Sequence, residues 1–166
     1  LQDGDINDFV IPLNVVGQGQ RVVLDPDVFC FERPSEGEGR EFRRQVRITN
    51  RTLGAIMRNR RFLNPLAYGW FALFLLSHKV LRFLVPFFFA GTFLTALGLA
   101  GQSVFFSVMA LAQALFVGIG LLALRQRRGG RVGQLCSFFL LTIAAQFLGW
   151  VRWASGKTDV MWTPQR

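Results

Sequence analysis

Three stretches of this chain carry no charge and are long enough to cross a lipid bilayer: Phe83–Ala100, Ser103–Leu124 and Val132–Trp150. A helix needs roughly twenty such residues to span the hydrocarbon core. Inside that core every backbone N–H and C=O must be satisfied within the segment, which leaves the helix as the form for isolated apolar runs. The expected fold is therefore a mainly α membrane protein with about three transmembrane helices. Pro86 is expected to kink the first of them.

The charges orient these spans. The turn at 100–103 has none, whereas the loop Arg125-Gln-Arg-Arg-Gly-Gly-Arg131 has four arginines. Basic loops stay on the cytosolic side, so this loop and the basic segment 40–61 are expected to share that side. Three spans then put the C-terminal tail outside. A separate fourth span over 65–77 would turn the four-arginine loop outward, so 65–77 is read as an interfacial element or as the entry of the first span. Its Tyr68, Trp70 and Phe71 suit the headgroup region.

A net charge of +9 with 51% hydrophobic residues fits a membrane protein with basic edges better than a small soluble domain. Residues 1–64 carry ten Lys/Arg against nine Asp/Glu, and residues 65–166 nine against one. Most basic residues flank apolar spans, which favours membrane lipid or a phosphate-bearing substrate and speaks against nucleic acid. The two cysteines, Cys30 and Cys136, form neither a disulfide framework nor a metal spacing and are expected to be buried thiols.

Ahead of the spans, residues 1–32 read as part of an α/β domain. Asp8 opens a helical segment from Phe9 to Val16, with Pro12 near its first turn. Arg21–Leu24 and Val28–Phe31 read as short strands across the turn Asp25-Pro26-Asp27. Residues 33–40 read as a polar linker. Residues 41–63 are amphipathic: Phe42, Val46, Leu53, Ile56 and Met57 share one sector, with the arginines in another. Such helices commonly lie in the membrane interface. The organisation is thus 1–32, 33–64 as linker and interface helices, and 65–166 as the transmembrane region.

Few residues offer chemistry. Asp8 at a helix start reads as a plain N-cap or as a functional carboxylate. Arg44 and Arg47, three apart on one helix face beside Arg43, suit a diphosphate or a lipid headgroup. Asp25-Pro26-Asp27 imitates a metal-binding Asp-x-Asp but is ordinary turn chemistry. His78 beside Lys79 reads as a proton carrier or an interfacial anchor. The spans hold no acids or paired charges, which argues against an ion transporter.

In order along the chain stand Asp8-Phe-Val-Ile-Pro-Leu13, Gly19-Gln-Arg-Val-Val23, Asp25-Pro-Asp-Val28 with Glu32, and Glu41-Phe-Arg-Arg-Gln-Val-Arg47. Leu63-Asn-Pro65, Leu76-Ser-His-Lys-Val-Leu-Arg-Phe-Leu-Val-Pro86 and Trp162-Thr-Pro-Gln-Arg166 follow. This set resembles the C-terminal part of a membrane-integrated family 2 glycosyltransferase of the cellulose and hyaluronan synthase group and its bacterial exopolysaccharide relatives.

The resemblance implies an inverting transfer of sugar from a nucleotide-diphosphate sugar to a glycan or lipid-linked acceptor in cell-surface polysaccharide synthesis. It implies a bacterial inner (plasma) membrane protein with residues 1–64 cytosolic. The family's general base falls on Asp8, with Asn7 where an acid is usual. Its Gln-x-x-Arg-Trp motif falls on Arg44-Gln-Val-Arg47-Ile48, with Arg44 for the glutamine and Ile48 for the tryptophan, a departure that puts a processive product in doubt. Arg44 and Arg47, with Arg43 beside them, would bind the diphosphate. Mg2+ or Mn2+ is expected in the complete enzyme, on ligands outside this chain. The family's donor-binding half of a GT-A-type domain cannot fit ahead of Asp8, so the chain, which starts at Leu1, is expected to be a C-terminal fragment inactive alone. The alternative is a non-enzymatic membrane protein whose basic helix docks anionic lipid or a partner protein.

Overall fold

The computed structural model describes residues 6–23, 25–31, 37–126 and 130–157, and among these every regular element is helical. The helices are α1 (Asn7–Gly17), α2 (Glu38–Arg58), α3 (Pro65–Leu75), α4 (Leu81–Leu99), α5 (Val104–Gln126) and α6 (Arg131–Ala154). A 3-10 turn, Arg60–Leu63, precedes α3, and a π turn, Leu76–Val80, joins α3 to α4. Three stretches are long and apolar enough to cross a membrane: Pro65–Leu99, Val104–Gln126 and Arg131–Ala154. They cover the three uncharged runs except for the end residues Ala100 and Ser103, as is compatible with an integral membrane protein. The segment 65–77 continues into the first of them and is no separate span.

The expected strands are absent. Arg21–Val23 and Val28–Phe31 have no strand structure, and Leu24 and Glu32 lie outside the described residues. The turn between them does form: Val28 N–H donates to the Asp25 carbonyl at 3.2 Å, and Asp27 N–H to the Asp25 carboxylate at 3.0 Å. Its proline explains the outcome. Pro26 at the second turn position fixes a negative φ, whereas tight hairpins need the mirror-image turns with positive φ. A lone two-stranded hairpin is also marginal without a covering layer, and Val23, Val28 and Phe31 are 82%, 76% and 93% exposed. Cys30, expected to be buried, is exposed on this irregular segment, while Cys136 is buried.

The polar linker is also shorter than its composition suggests. Residues 32–36 lie outside the described residues, and Glu38 already opens α2 behind Gly37, whose carbonyl accepts from the N–H groups of Arg40 and Glu41.

The chain divides into two compact units, one of residues up to Leu81 with those from Leu148 onward, the other Arg82–Phe147. In the first, Phe62 is fully buried and stacks on Tyr68 and Phe71, with ring centroids 4.8 and 6.5 Å away. Val46, Leu53 and Ile56 of α2 are buried and Met57 is 44% exposed. Protein therefore covers most of the apolar stripe that an interfacial helix would turn to lipid. The close approach of α6 is one cause. A Cβ on Gly149 would lie 2.7 Å from Thr49 Cβ, so only glycine lets the two backbones come this near. Asn50 then ties the turn that follows α6 by donating from Nδ2 to the Lys157 carbonyl at 2.8 Å.

In the second unit, phenylalanines from three helices pack together: Phe89 tilted on Phe116 at 6.4 Å, and Phe139 edge to face with Phe89 at 6.0 Å and with Phe116 at 5.3 Å. Gln113 Nε2 donates to Thr92 Oγ1 at 3.0 Å, a polar tie between α5 and α4. Such bonds and aromatic contacts hold helices together where lipid removes the hydrophobic drive.

Candidate functional site

The first unit contains a groove of about 440 Å³ between α1 and the helix that follows Pro65. Phe9, Pro12 and Leu13 line one wall, and Phe71, Phe74 and Leu75 the other. Its polar lining is Asp8, His78 and Lys79. Two residues singled out in the sequence seventy positions apart, Asp8 and His78, thus meet at one place.

Local rules put Asp8 there. The N-cap of α1 is Ile6, and among the described residues no side chain caps the helix. Asp8 lies in the first turn, where a carboxylate is favoured by the helix dipole. It is not the N-cap, so the plain capping role does not account for it. Pro12 lies inside α1 rather than at its start. Having no N–H, it cannot donate the usual bond to the carbonyl of Asp8 four residues back.

The opposite wall is shaped by two irregularities. Asn64 caps α3, its side chain accepting from Leu66 N–H at 3.0 Å, and Pro65 takes the first helical position. Gly69 then breaks the helix at φ 54°, ψ −133°, a conformation that side chains disfavour. Further on, Ser77 Oγ donates to the Phe74 carbonyl at 3.2 Å, and His78 Nδ1 lies 3.2 Å from the same oxygen and 2.9 Å from Ser77 Oγ. Side chains that compete for a helix carbonyl loosen the regular ladder, and the π turn Leu76–Val80 lies at that spot. Lys79 places its ammonium 5.5 Å from the centre of the Phe9 ring across the groove, a cation–π distance.

The arginines stand elsewhere. None of Arg43, Arg44 and Arg47 lines the groove. All three are on α2, with Arg43 and Arg44 exposed and Arg47 half-buried. Arg44 pairs with Glu41 at 3.4 Å, one turn earlier. The structure therefore joins Asp8 to His78 and Lys79, and keeps the guanidinium cluster as a separate feature of α2. Among the described residues no three His, Cys, Asp or Glu side chains come together to hold a metal ion, and Asp25 is engaged in its turn. The described residues thus form no site for a divalent cation.

Comparison with protein-family models, curated proteins and solved structures finds no match.

Proposed function

We propose that this chain is the acceptor-side, membrane-anchoring part of an inverting glycosyltransferase of the bacterial inner membrane, with its N-terminal part in the cytosol. The observation that carries this reading is Asp8: a first-turn carboxylate that does not cap its helix and lines a groove wide enough for a ligand. The ordered motifs that resemble those of family 2 glycosyltransferases supply the reaction class. The amphipathic α2 then joins the catalytic side to the spans, and the segment ahead of it is the end of the donor-binding domain.

On this reading an acceptor hydroxyl attacks the anomeric carbon of a nucleotide-diphosphate sugar. The new C–O bond forms as the bond from that carbon to the diphosphate oxygen breaks. The proton of the hydroxyl passes to the Asp8 carboxylate, which must lie within hydrogen-bond reach of it. The nucleoside diphosphate leaves with the electron pair; because Arg43, Arg44 and Arg47 lie on α2 outside the groove, the reading requires the donor to extend from Asp8 to that face for the guanidinium groups to stabilise its charge.

Membranes that contain the natural full-length protein, incubated with a panel of radiolabelled nucleoside-diphosphate hexoses, test the reading. Label is expected in a glycan or lipid-linked product, with release of nucleoside diphosphate. Membranes that consume none of the donors would contradict it. The arginine stripe of α2 by itself also suits a non-enzymatic protein that docks anionic lipid, but that reading gives the groove at Asp8 no role.

A further inference from the structure

The groove beside Asp8 has apolar walls and a polar lip, and its lip has one formal charge of each sign, Asp8 and Lys79. Such a lip has no net attraction for an anion. Lys79 is moreover engaged over the Phe9 ring. What the lip offers instead is hydrogen-bond acceptors. Asp8 contributes a carboxylate. His78 has Nδ1 held on the helix side by the Phe74 carbonyl and Ser77. A proton on Nδ1 shared with that carbonyl leaves Nε2 as an acceptor. Two acceptors on one lip suit a ligand with several hydroxyl groups. In the sequence, His78 and Lys79 come just before the uncharged run Phe83–Ala100, so the groove lies near the membrane boundary, where amphiphiles concentrate.

We infer that the groove holds the acceptor, and that this acceptor is an amphiphilic glycoside. Its sugar hydroxyls lie at Asp8 and His78, and its apolar aglycone lies along Phe71 and Phe74. His78 is a positioning residue: it orients the sugar through Nε2, and the π turn with its Ser77 contact fixes the ring. The inference deepens the glycosyltransferase reading and rests on it for the word acceptor, but the binding itself requires no donor.

The test uses the full-length protein in detergent-free lipid nanodiscs and one probe, octyl β-glucoside with a photoreactive diazirine at the end of its alkyl chain. After irradiation, saturable labelling is expected at Phe71–Leu75. Excess unlabelled octyl glucoside should suppress it at least tenfold, and octyl phosphate should not. His78→Ala should weaken labelling about tenfold. His78→Gln, whose amide reaches near the Nε2 position, should restore most of it, whereas His78→Asn, which imitates Nδ1, should not. Labelling that neither saturates nor concentrates at Phe71–Leu75 would overturn the inference, as would equal competition by octyl phosphate or wild-type labelling of His78→Ala. Rescue by Asn rather than Gln would overturn the role of Nε2. A protein that transfers sugar but shows no groove labelling refutes this inference alone. A protein with saturable, glucoside-selective labelling that transfers none refutes the enzyme reading and leaves the groove standing.

Discussion

Asp8 owes its position to neighbours that do little chemistry themselves. Ile6 cannot cap α1, which leaves the carboxylate two residues on to meet the first turn without being consumed as a cap. The sequence announced an acid before an apolar helical run, and that much was legible. It did not announce the partner, because His78 is brought near by folding over a distance that no periodicity covers. Two glycines show how narrowly the surroundings are set. Gly149→Ala would place a Cβ 2.7 Å from Thr49, and is expected to destabilise the protein by about 1–3 kcal/mol, as overpacking commonly does. A thermal unfolding curve in nanodiscs would read this as a lowered midpoint. Gly69→Ala forces a side chain into φ 54° and is expected to cost about 1–3 kcal/mol, in the same assay, although no atom stands within 4 Å of the new Cβ. A loss at Gly149 without one at Gly69 would mean that the α3 kink is not constrained.

At the scale of elements, α2 shows both what patterning gives and what it conceals. Its apolar sector was readable from spacing, and Val46, Leu53 and Ile56 are indeed buried. The same sector takes in Thr49, Asn50 and Thr52, also buried; Gly149 of α6 meets Thr49 and the Lys157 carbonyl just beyond α6 meets Asn50. Those contacts depend on residues about a hundred positions later, which a wheel of one helix does not contain. The missing strands teach the converse. Two short apolar runs across an Asp-Pro-Asp turn suggested pairing, but a proline turn of the wrong hand leaves the two segments without hairpin geometry. If the arginine face serves the leaving diphosphate, changing Arg44 or Arg47 to Gln should raise the transfer barrier by about 2–4 kcal/mol each. Steady-state assays at saturating acceptor would show it as a lower turnover, with membrane insertion unchanged. A triple change at Arg43, Arg44 and Arg47 that lowers only binding to vesicles with anionic lipid would favour the docking reading.

At the scale of the whole molecule, the number of spans was the most legible property, since uncharged length decides it almost alone. Sidedness follows from charge and can be checked directly. In a background with Cys30→Ser and Cys136→Ala, Gly101→Cys and Gly130→Cys each place an exposed thiol in a loop where no atom lies within 4 Å of the new Cβ. A membrane-impermeant maleimide on intact cells should label position 101 and should reach position 130 only after permeabilisation. Labelling of both from outside would contradict the three-span orientation.

On the proposed reading, Asp8 takes a proton from an acceptor hydroxyl during sugar transfer. The most direct measurement is the single-turnover rate of transfer by membranes with the full-length protein against the same membranes with Asp8→Asn, at equal inserted amounts. Loss of a general base predicts a fall of roughly a hundredfold to ten-thousandfold, with the spans still inserted. An unchanged rate for Asp8→Asn would remove Asp8 from the chemistry and with it the reading of the groove as a catalytic site.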